Sequence, residues 1–392
     1  MGLPRVAVIH NRYQQPGGED GVFAGETDLL ERQGHEVVRY VLDNQAIDGM
    51  GRLALARATV WNGDAYAGLR RLFATYRPDV AHFHNTFPLV SPAGYYAARR
   101  ERVAVVQTLH NFRLACPNAL FFRDGHVCED CSGKAVAWPG VLHACYRGSR
   151  VASGMTAVML AVHRALGTWG EMVDVYVALT EFARDRFVAH GLPADRIVVK
   201  PNFVQADSDV GEHGGGFALY VGRLVPEKGV ETLLDAWARV PGGFSLKLVG
   251  GGPLETLRDT PRPGVEWLGQ QPPSRVAALM REASFLVFPS EWYEGFPLTL
   301  AEAFAAGLPV IASAIGAGAE IVEHGRTGCL FRAGDAADLA DRLVWAVTHK
   351  GELAGMGRAA RQVFEAKYTA DQNHRLLLDT YRTAMARASA RQ

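Results

Sequence analysis

The sequence predicts an α/β protein made of two doubly wound parallel-sheet domains facing a cleft. Three observations carry that prediction. Short, almost continuously apolar runs rich in Val and Ile alternate with helix-period segments, the pattern of strands buried on both faces of a parallel sheet. The alternation stops at a polar, glycine-rich stretch, QADSDVGEHGGG at 205–216, and then starts again. The length, 392 residues, suffices for two or three domains of ordinary size, each with its own core.

The elements follow in order. RVAVIH (5–10) is the first strand, and the loop QQPGGED leads into a helix over Val22–Gly34. HEVVRYVL (35–42), DVAHFHN (79–85), VAVVQTLHN (103–111), DVYVALT (174–180) and RIVVKPNFV (196–204) continue the series. Residues 1–204 therefore form a first domain, with a cysteine-rich insertion at 116–145, and 205–216 is its linker to the next. The second domain, 217–369, opens on FALYVGRL and a helix near Gly229–Val240. SLKLVGGGP, VEWLG, a helix near Arg275–Glu282, SFLVFPS, a helix near Leu298–Ala306 and LPVIAS follow. Residues 370–392 carry a last helix, about 370–388, expected to pack back on the first domain.

Composition narrows the class of function. The chain is 48% apolar, and its 41 basic and 41 acidic residues cancel, so no basic field invites nucleic acid. The start, MGLPRVAVIHNRY, has too short an apolar run for a signal peptide. The most apolar long stretch, Val151–Trp169, is interrupted by His163 and Arg164. The expectation is a cytoplasmic protein with reduced thiols.

In open parallel sheets ligands bind beyond the carboxyl ends of the strands, so chemistry belongs in the loops that follow them. YVGRLVPEKG ends a strand at Gly222 and sets Arg223 and Lys228 around a turn, two cations suited to a pyrophosphate. Alone, that spacing reads as a solvated charged turn. LVGGGPLE, centred on Gly251, allows backbone to approach a ligand closely, but it lacks the dinucleotide fingerprint. EGFPLTLAEAFAAGLPVIAS is the most specific stretch. Glu294 precedes a turn at Gly295 and Phe296, Pro297 suits the first position of a helix, and the N–H groups of Leu298 and Thr299 would face an anion. Glu302 lies a turn further on, an acceptor-only group suited to sugar hydroxyls.

Those residues resemble the family 4 (group 1) retaining glycosyltransferases of GT-B fold. The resemblance spans nearly the whole chain. HNRYQQPGGED and TLHNFRLACPN resemble the subgroup that makes bacterial surface polysaccharides. The resemblance implies a sugar transferase using a UDP- or GDP-sugar and a glycan or lipid-linked acceptor. Arg223 and Lys228 would bind the donor diphosphate, Glu302 the ribose, and Glu294 the donor sugar near its reacting carbon. Phe296, Pro297, Leu298 and Thr299 would hold sugar and phosphate. Gly17 and Gly18 would approach the diphosphate from the first domain, His110 would face the sugar, and Asn202 matches the asparagine before the linker. IGAGAEIV replaces the family's Gly-Gly-x-x-Glu element, with Glu320 at the acid. No metal is required for catalysis on this reading. A nucleotide-sugar epimerase and a non-catalytic nucleotide-sugar binder are the alternatives.

Four groups of residues remain. His82 and His84 alternate on one strand and so share a face, read as packing and cleft lining rather than a metal site. Glu19 and Asp20 follow the paired glycines with an open role, acceptor binding among the options. Cys116, Cys128, Cys131 and Cys145 fit the spacing of a structural zinc site, and equally fit reduced thiols or two disulfides; Cys329 reads as core. Trp138, Tyr146, Arg147, Arg150 and the apolar run to Trp169 suit either a core helix or peripheral contact with the inner face of a membrane.

Overall fold

Two six-stranded parallel sheets organise the chain in the computed structural model, which describes residues 2–15, 17–205 and 209–391. The first sheet holds β1 (Val6–Arg12), β2 (Val37–Asp43), β3 (Val80–Phe83) and β4 (Ala104–Leu109). After a small antiparallel hairpin, β5 (Phe122–Arg123) and β6 (His126–Val127), it adds β7 (Val175–Ala178) and β8 (Ile197–Val199). Its order is β2-β1-β3-β4-β7-β8. The second sheet holds β9 (Phe217–Val221), β10 (Ser245–Val249), β11 (Val265–Gly269), β12 (Phe285–Phe288), β13 (Val310–Ser313) and β14 (Gly328–Phe331), in the order β11-β10-β9-β12-β13-β14. The runs that read as apolar throughout are the central strands: β3, β4, β7, β12 and β13 are buried at every position, because helices cover both faces.

The strand orders fix where each sheet opens. In the first, the order reverses between β1 and β3; in the second, between β9 and β12. At these points successive crossovers leave on opposite faces, so the loops after those four strands diverge and leave a crevice at the carboxyl edge.

The chain divides into two compact units, 1–121 with 129–201 and 373–392, and 122–128 with 202–372. The last helix, Ala370–Ala390, buries Leu377, Tyr381, Ala384 and Ala388 in one core with Val6, Val80, Val106 and Val175 of the first sheet. Residues 206–208 of the expected linker lie outside the described residues. Beyond them the glycine-rich stretch is strapped to the second unit rather than loose. Gly211 N–H donates to the Ala306 carbonyl at 3.0 Å, and the His213 ring bonds the carbonyls of Ala283 (3.0 Å) and Ala306 (3.1 Å).

Three element boundaries differ from the sequence reading for local reasons. The first helix runs Gly18–Arg32, not from Val22, because Asp20 caps it by accepting from Gly17 N–H at 2.8 Å. The run to Trp169 splits: Arg150–Ala165 is capped by Ser149, and Gly167, at φ 69°, turns the chain into a short second helix at Thr168–Glu171. Pro297 is the residue before the helix Leu298–Ala305, not its first turn. No helix among the described residues is long and apolar enough to cross a membrane.

Candidate active site

In the second unit the loops after β9, β10 and β12 lock together through backbone. Gly222 N–H donates to Val249 O at 3.0 Å, Leu224 N–H to Gly251 O at 2.9 Å, and Glu291 N–H to Glu227 O at 2.9 Å. Glycine is required at two of these crossings. At Gly250, φ is 144° and a Cβ would stand 1.8 Å from Gly222 O; at Gly229, φ is 66° and a Cβ would stand 1.9 Å from Pro289 O.

This frame brings Lys228 and Glu294 together at the switch point. Lys228 Nζ donates to Glu294 Oε1 at 2.6 Å, and Ser290 Oγ donates to the same oxygen at 2.7 Å. The rings of Phe288 and Trp292 lie 5.8 Å from the ammonium, so aromatic faces hold its approach. Arg223, by contrast, projects into solvent with its guanidinium 3.7 Å from Glu227, a cation on a free arm. Two residues past Glu294, Phe296 is buried edge-on against Tyr368, and the helix Leu298–Ala305 begins after Pro297. Its first N–H groups, those of Leu298 and Thr299, have no partner within the helix.

Glu302, on that helix, lines a cavity of about 380 Å³ with Val221, Gln271, Val276 and Met280. Burial pushes its carboxyl pKa up. Val276 and Met280 were not singled out; their signal is the apolar side of the helix Pro273–Glu282, which reads as ordinary amphipathic packing. Glu320, on the helix Gly316–Ile321, stands exposed.

In the first unit, Gly17 and Gly18 form the exposed start of a helix. Asp20 is committed to structure: Oδ1 pairs with His10 Nε2 at 2.8 Å while Oδ2 caps Gly17. Glu19 Oε2 accepts from the Tyr13 hydroxyl at 2.9 Å and from Asn111 Nδ2 at 3.1 Å, while Oε1 is buried without a partner. Burial raises the Glu19 pKa to about 7. His110 follows β4, with Nε2 3.0 Å from His84 Nδ1. The rings of His82 and His84 lie 4.4 Å apart, on one face. Asn202, where the second unit begins, is buried, with Oδ1 lacking a hydrogen-bond partner.

Sequence reasoning missed Glu26 and Lys200, both fully buried, with Lys200 Nζ donating to Glu26 Oε1. The signal was a charged residue at the apolar spacing Val22, Glu26, Leu29, Leu30. Among the described residues, Glu26, His82 and His84 bring ligand atoms within 4.8 Å of one another. The five cysteines are thiols rather than disulfides, and Cys116 Sγ donates to Asn118 Oδ1 at 2.9 Å.

Comparison with known proteins shows the family and the fold. The family model described as glycosyl transferases group 1 matches residues 216–349, and the glycosyl transferase 4-like domain matches 17–202. A GDP-mannose-dependent alpha-mannosyltransferase of Mycolicibacterium smegmatis is 30% identical over 295 residues, 73% of this chain and 69% of that protein. A phosphatidyl-myo-inositol mannosyltransferase of Mycobacterium leprae is 36% identical over 193 residues, 46% of this chain; the match spans about half, 51%, of that relative. HepE of Anabaena, solved with UDP and glucose, shares the fold at a TM-score of 0.67 and 18% identity, over 96% of this chain and 99% of that one.

Proposed function

Starting from a chain that belongs to the group 1 glycosyltransferases and has the GT-B fold, we propose that it transfers a sugar with retention from a UDP- or GDP-sugar to a glycan or lipid-linked acceptor in polysaccharide synthesis. The observation that carries this reading is the Lys228–Glu294–Ser290 cluster at the β9/β12 switch point, with Glu302 in its cavity on the helix that follows the β12 loop. The mannosyltransferase relative is named for GDP-mannose and HepE holds UDP, which supports a nucleoside diphosphate donor.

The roles follow from charge. Breaking the bond between the anomeric carbon and the diphosphate oxygen leaves negative charge on the phosphate and positive charge on the sugar ring. Lys228, Arg223 and the N–H groups of Leu298 and Thr299 answer the first, a task otherwise suited to a metal ion. Glu294, held by Ser290 when Lys228 turns to the phosphate, keeps a carboxylate beside the sugar. Glu302 accepts from the ribose hydroxyls. The acceptor hydroxyl attacks the face that the diphosphate leaves, and its proton passes to the departing phosphate oxygen. In the first unit, His110 serves the sugar and Gly17 and Gly18 the diphosphate, as the resemblance implies; in the second, Asn202 offers its unpaired Oδ1.

Two attachments complete the proposal. Val151, Val158, Val162 and Leu166 stay exposed along Arg150–Ala165, with Trp138, Leu142 and Leu53 exposed on helices packed against it and Arg52, Arg147, Arg150 and Arg164 among them. That mixture supports peripheral contact with an anionic membrane, where a lipid-linked acceptor resides; flotation with anionic liposomes tests it. The cysteines of the insertion are the second: as thiolates they would suit one structural zinc, but among the described residues no three of their sulfurs converge as metal ligands; metal analysis of the wild type and of Cys128→Ser tests it. The transferase reading itself is tested by thermal shift with UDP, GDP and ADP, followed by product analysis with the sugar nucleotides of the base that binds. Stabilisation by a nucleoside diphosphate and transfer to an added acceptor are expected. A chain that no nucleoside diphosphate stabilises overturns the reading; turnover of the donor without acceptor, giving an isomerised sugar, points to the epimerase instead.

A further inference from the structure

The first unit buries an ion pair whose second oxygen is unemployed. Glu26 and Lys200 are both 0% exposed. Lys200 Nζ donates to Glu26 Oε1, but Oε2 has no hydrogen-bond partner. Facing it at 3.7 Å is His84 Nε2, equally buried and equally without a partner. The other His84 nitrogen, Nδ1, is 3.0 Å from His110 Nε2. Four side chains from the first helix and the ends of three strands thus form one line: Lys200, Glu26, His84, His110.

A cation is the first occupant to consider, since Glu26, His82 and His84 bring ligand atoms within 4.8 Å. The surroundings reject it. The Lys200 ammonium is already on the same carboxylate. Both His82 nitrogens are committed, Nδ1 to the Tyr381 hydroxyl at 2.9 Å and Nε2 to Thr108 Oγ1 at 2.8 Å. A divalent ion there would stand beside an ammonium in a dry core.

The protons have a different consequence. Burial pushes the pKa of His84 and His110 well down, so each ring is neutral at pH 7 and carries one N–H. A carboxylate only accepts. Oε2 and His84 Nε2 are both satisfied only if that nitrogen bears the hydrogen, after a closing movement of roughly 0.7 Å to normal hydrogen-bond length. The opposite tautomer sets lone pair against lone pair. With its hydrogen on Nε2, His84 offers a lone pair at Nδ1, so His110 must donate from Nε2 and keep its own lone pair at Nδ1.

We propose that Glu26 is a positioning residue which, anchored by Lys200, fixes through His84 the tautomer of His110, so that His110 presents Nδ1 as an acceptor to a hydroxyl of the donor sugar. The last step rests on the transferase reading given above. A histidine on its own at a strand end would choose its tautomer by whichever ligand arrived; this line sets it beforehand, so a sugar hydroxyl meets an acceptor and not a second donor.

The test reads the protons directly. Protein labelled with nitrogen-15 histidine gives two-bond proton–nitrogen spectra that distinguish the protonated from the bare ring nitrogen, with His84→Asn and His110→Asn to assign the signals. In wild type, both rings are expected to be protonated at Nε2. Glu26→Gln turns an acceptor into a group that can donate to His84 Nε2, and both rings are expected to switch to Nδ1–H. Because that variant leaves the Lys200 charge buried alone, the charge-balanced pair Glu26→Gln with Lys200→Met is made alongside it. The same variants should lose about tenfold or more in kcat/KM for sugar transfer, while the Kd of the bare nucleoside diphosphate changes by less than about twofold. A purely structural defect would lower both or neither. Wild-type His110 protonated at Nδ1, or unchanged tautomers in folded Glu26→Gln, where Lys200 holds the amide oxygen and turns the amide nitrogen toward His84, overturns the proposal. If the spectra behave as stated and the wild type transfers no sugar, the line of protons stands and the transferase reading fails.

Discussion

Replacing Lys228 by methionine removes a cation and keeps most of its stem. The ammonium lies 5.8 Å from the rings of Phe288 and Trp292 and donates to Glu294 at 2.6 Å, so the substitution acts chiefly on charge. A unit charge about 4 Å from a phosphate oxygen is worth about 4 kcal/mol at the effective dielectric of a partly buried site. Removing one preorganised group of this kind costs ~10²–10³ in turnover, or about 3–4 kcal/mol. Folding should suffer less. Glu294 keeps the Ser290 hydrogen bond, so about 1–3 kcal/mol is lost with the charged pair. The assay is steady-state sugar transfer, paired with calorimetric titration of the nucleoside diphosphate and a thermal melt. Glu294→Gln and the double variant close the cycle. If Lys228 acts on the diphosphate, the double variant falls well below Glu294→Gln alone; if it merely neutralises Glu294, the two match. A Lys228→Met enzyme within about threefold of wild-type turnover refutes the reasoning.

Three further outcomes follow from the same geometry. Glu302→Gln should weaken nucleoside diphosphate binding about tenfold to a hundredfold, by loss of a charged acceptor; since burial raises its pKa, wild-type affinity should begin to fall with decreasing pH sooner than for an exposed carboxylate. Glu19 is pushed from 4.5 to about 7 on folding, so between those values the folded chain holds a proton that the unfolded chain has released, and stability declines as pH rises through that window, by at most about 3 kcal/mol. Glu19→Gln should therefore match wild type at pH 4 and melt higher at pH 8; equal melts at pH 8 would contradict the shift. Gly250→Ala, with its Cβ 1.8 Å from Gly222 O, should cost about 3 kcal/mol or more, while Gly351→Ala, with nothing within 4 Å, should be neutral; denaturant melts compare them.

The sequence made the strands legible because burial on both faces leaves little choice but Val, Ile, Leu and Phe. It made the second-unit site legible because a pyrophosphate grip, a helix start and two spaced acids fall within short segments. Strand order was not legible, since no residue in VAVIH announces that β1 lies between β2 and β3. The helices Arg52–Val60 and Gly63–Tyr76 were passed over because their apolar positions are diluted by Ala and Gly. The Glu26–Lys200 pair spans 174 residues, and nothing local relates a glutamate in the first helix to a lysine after β8. Pro297 read as inside its helix because a proline tolerates either position and only backbone geometry separates them.

The last helix carries a consequence for synthesis. Leu377, Tyr381, Ala384 and Ala388 fill the core of the unit that is translated first, and the Tyr381 hydroxyl meets His82. A nascent chain emerging from the ribosome thus builds a sheet whose interior stays unsealed until the intervening residues 202–372 have been made. The amino-terminal half waits, half-finished and sticky, for its lid of Leu377 and Tyr381, so a chain cut after residue 372 should be captured by chaperones rather than persist as a soluble fragment.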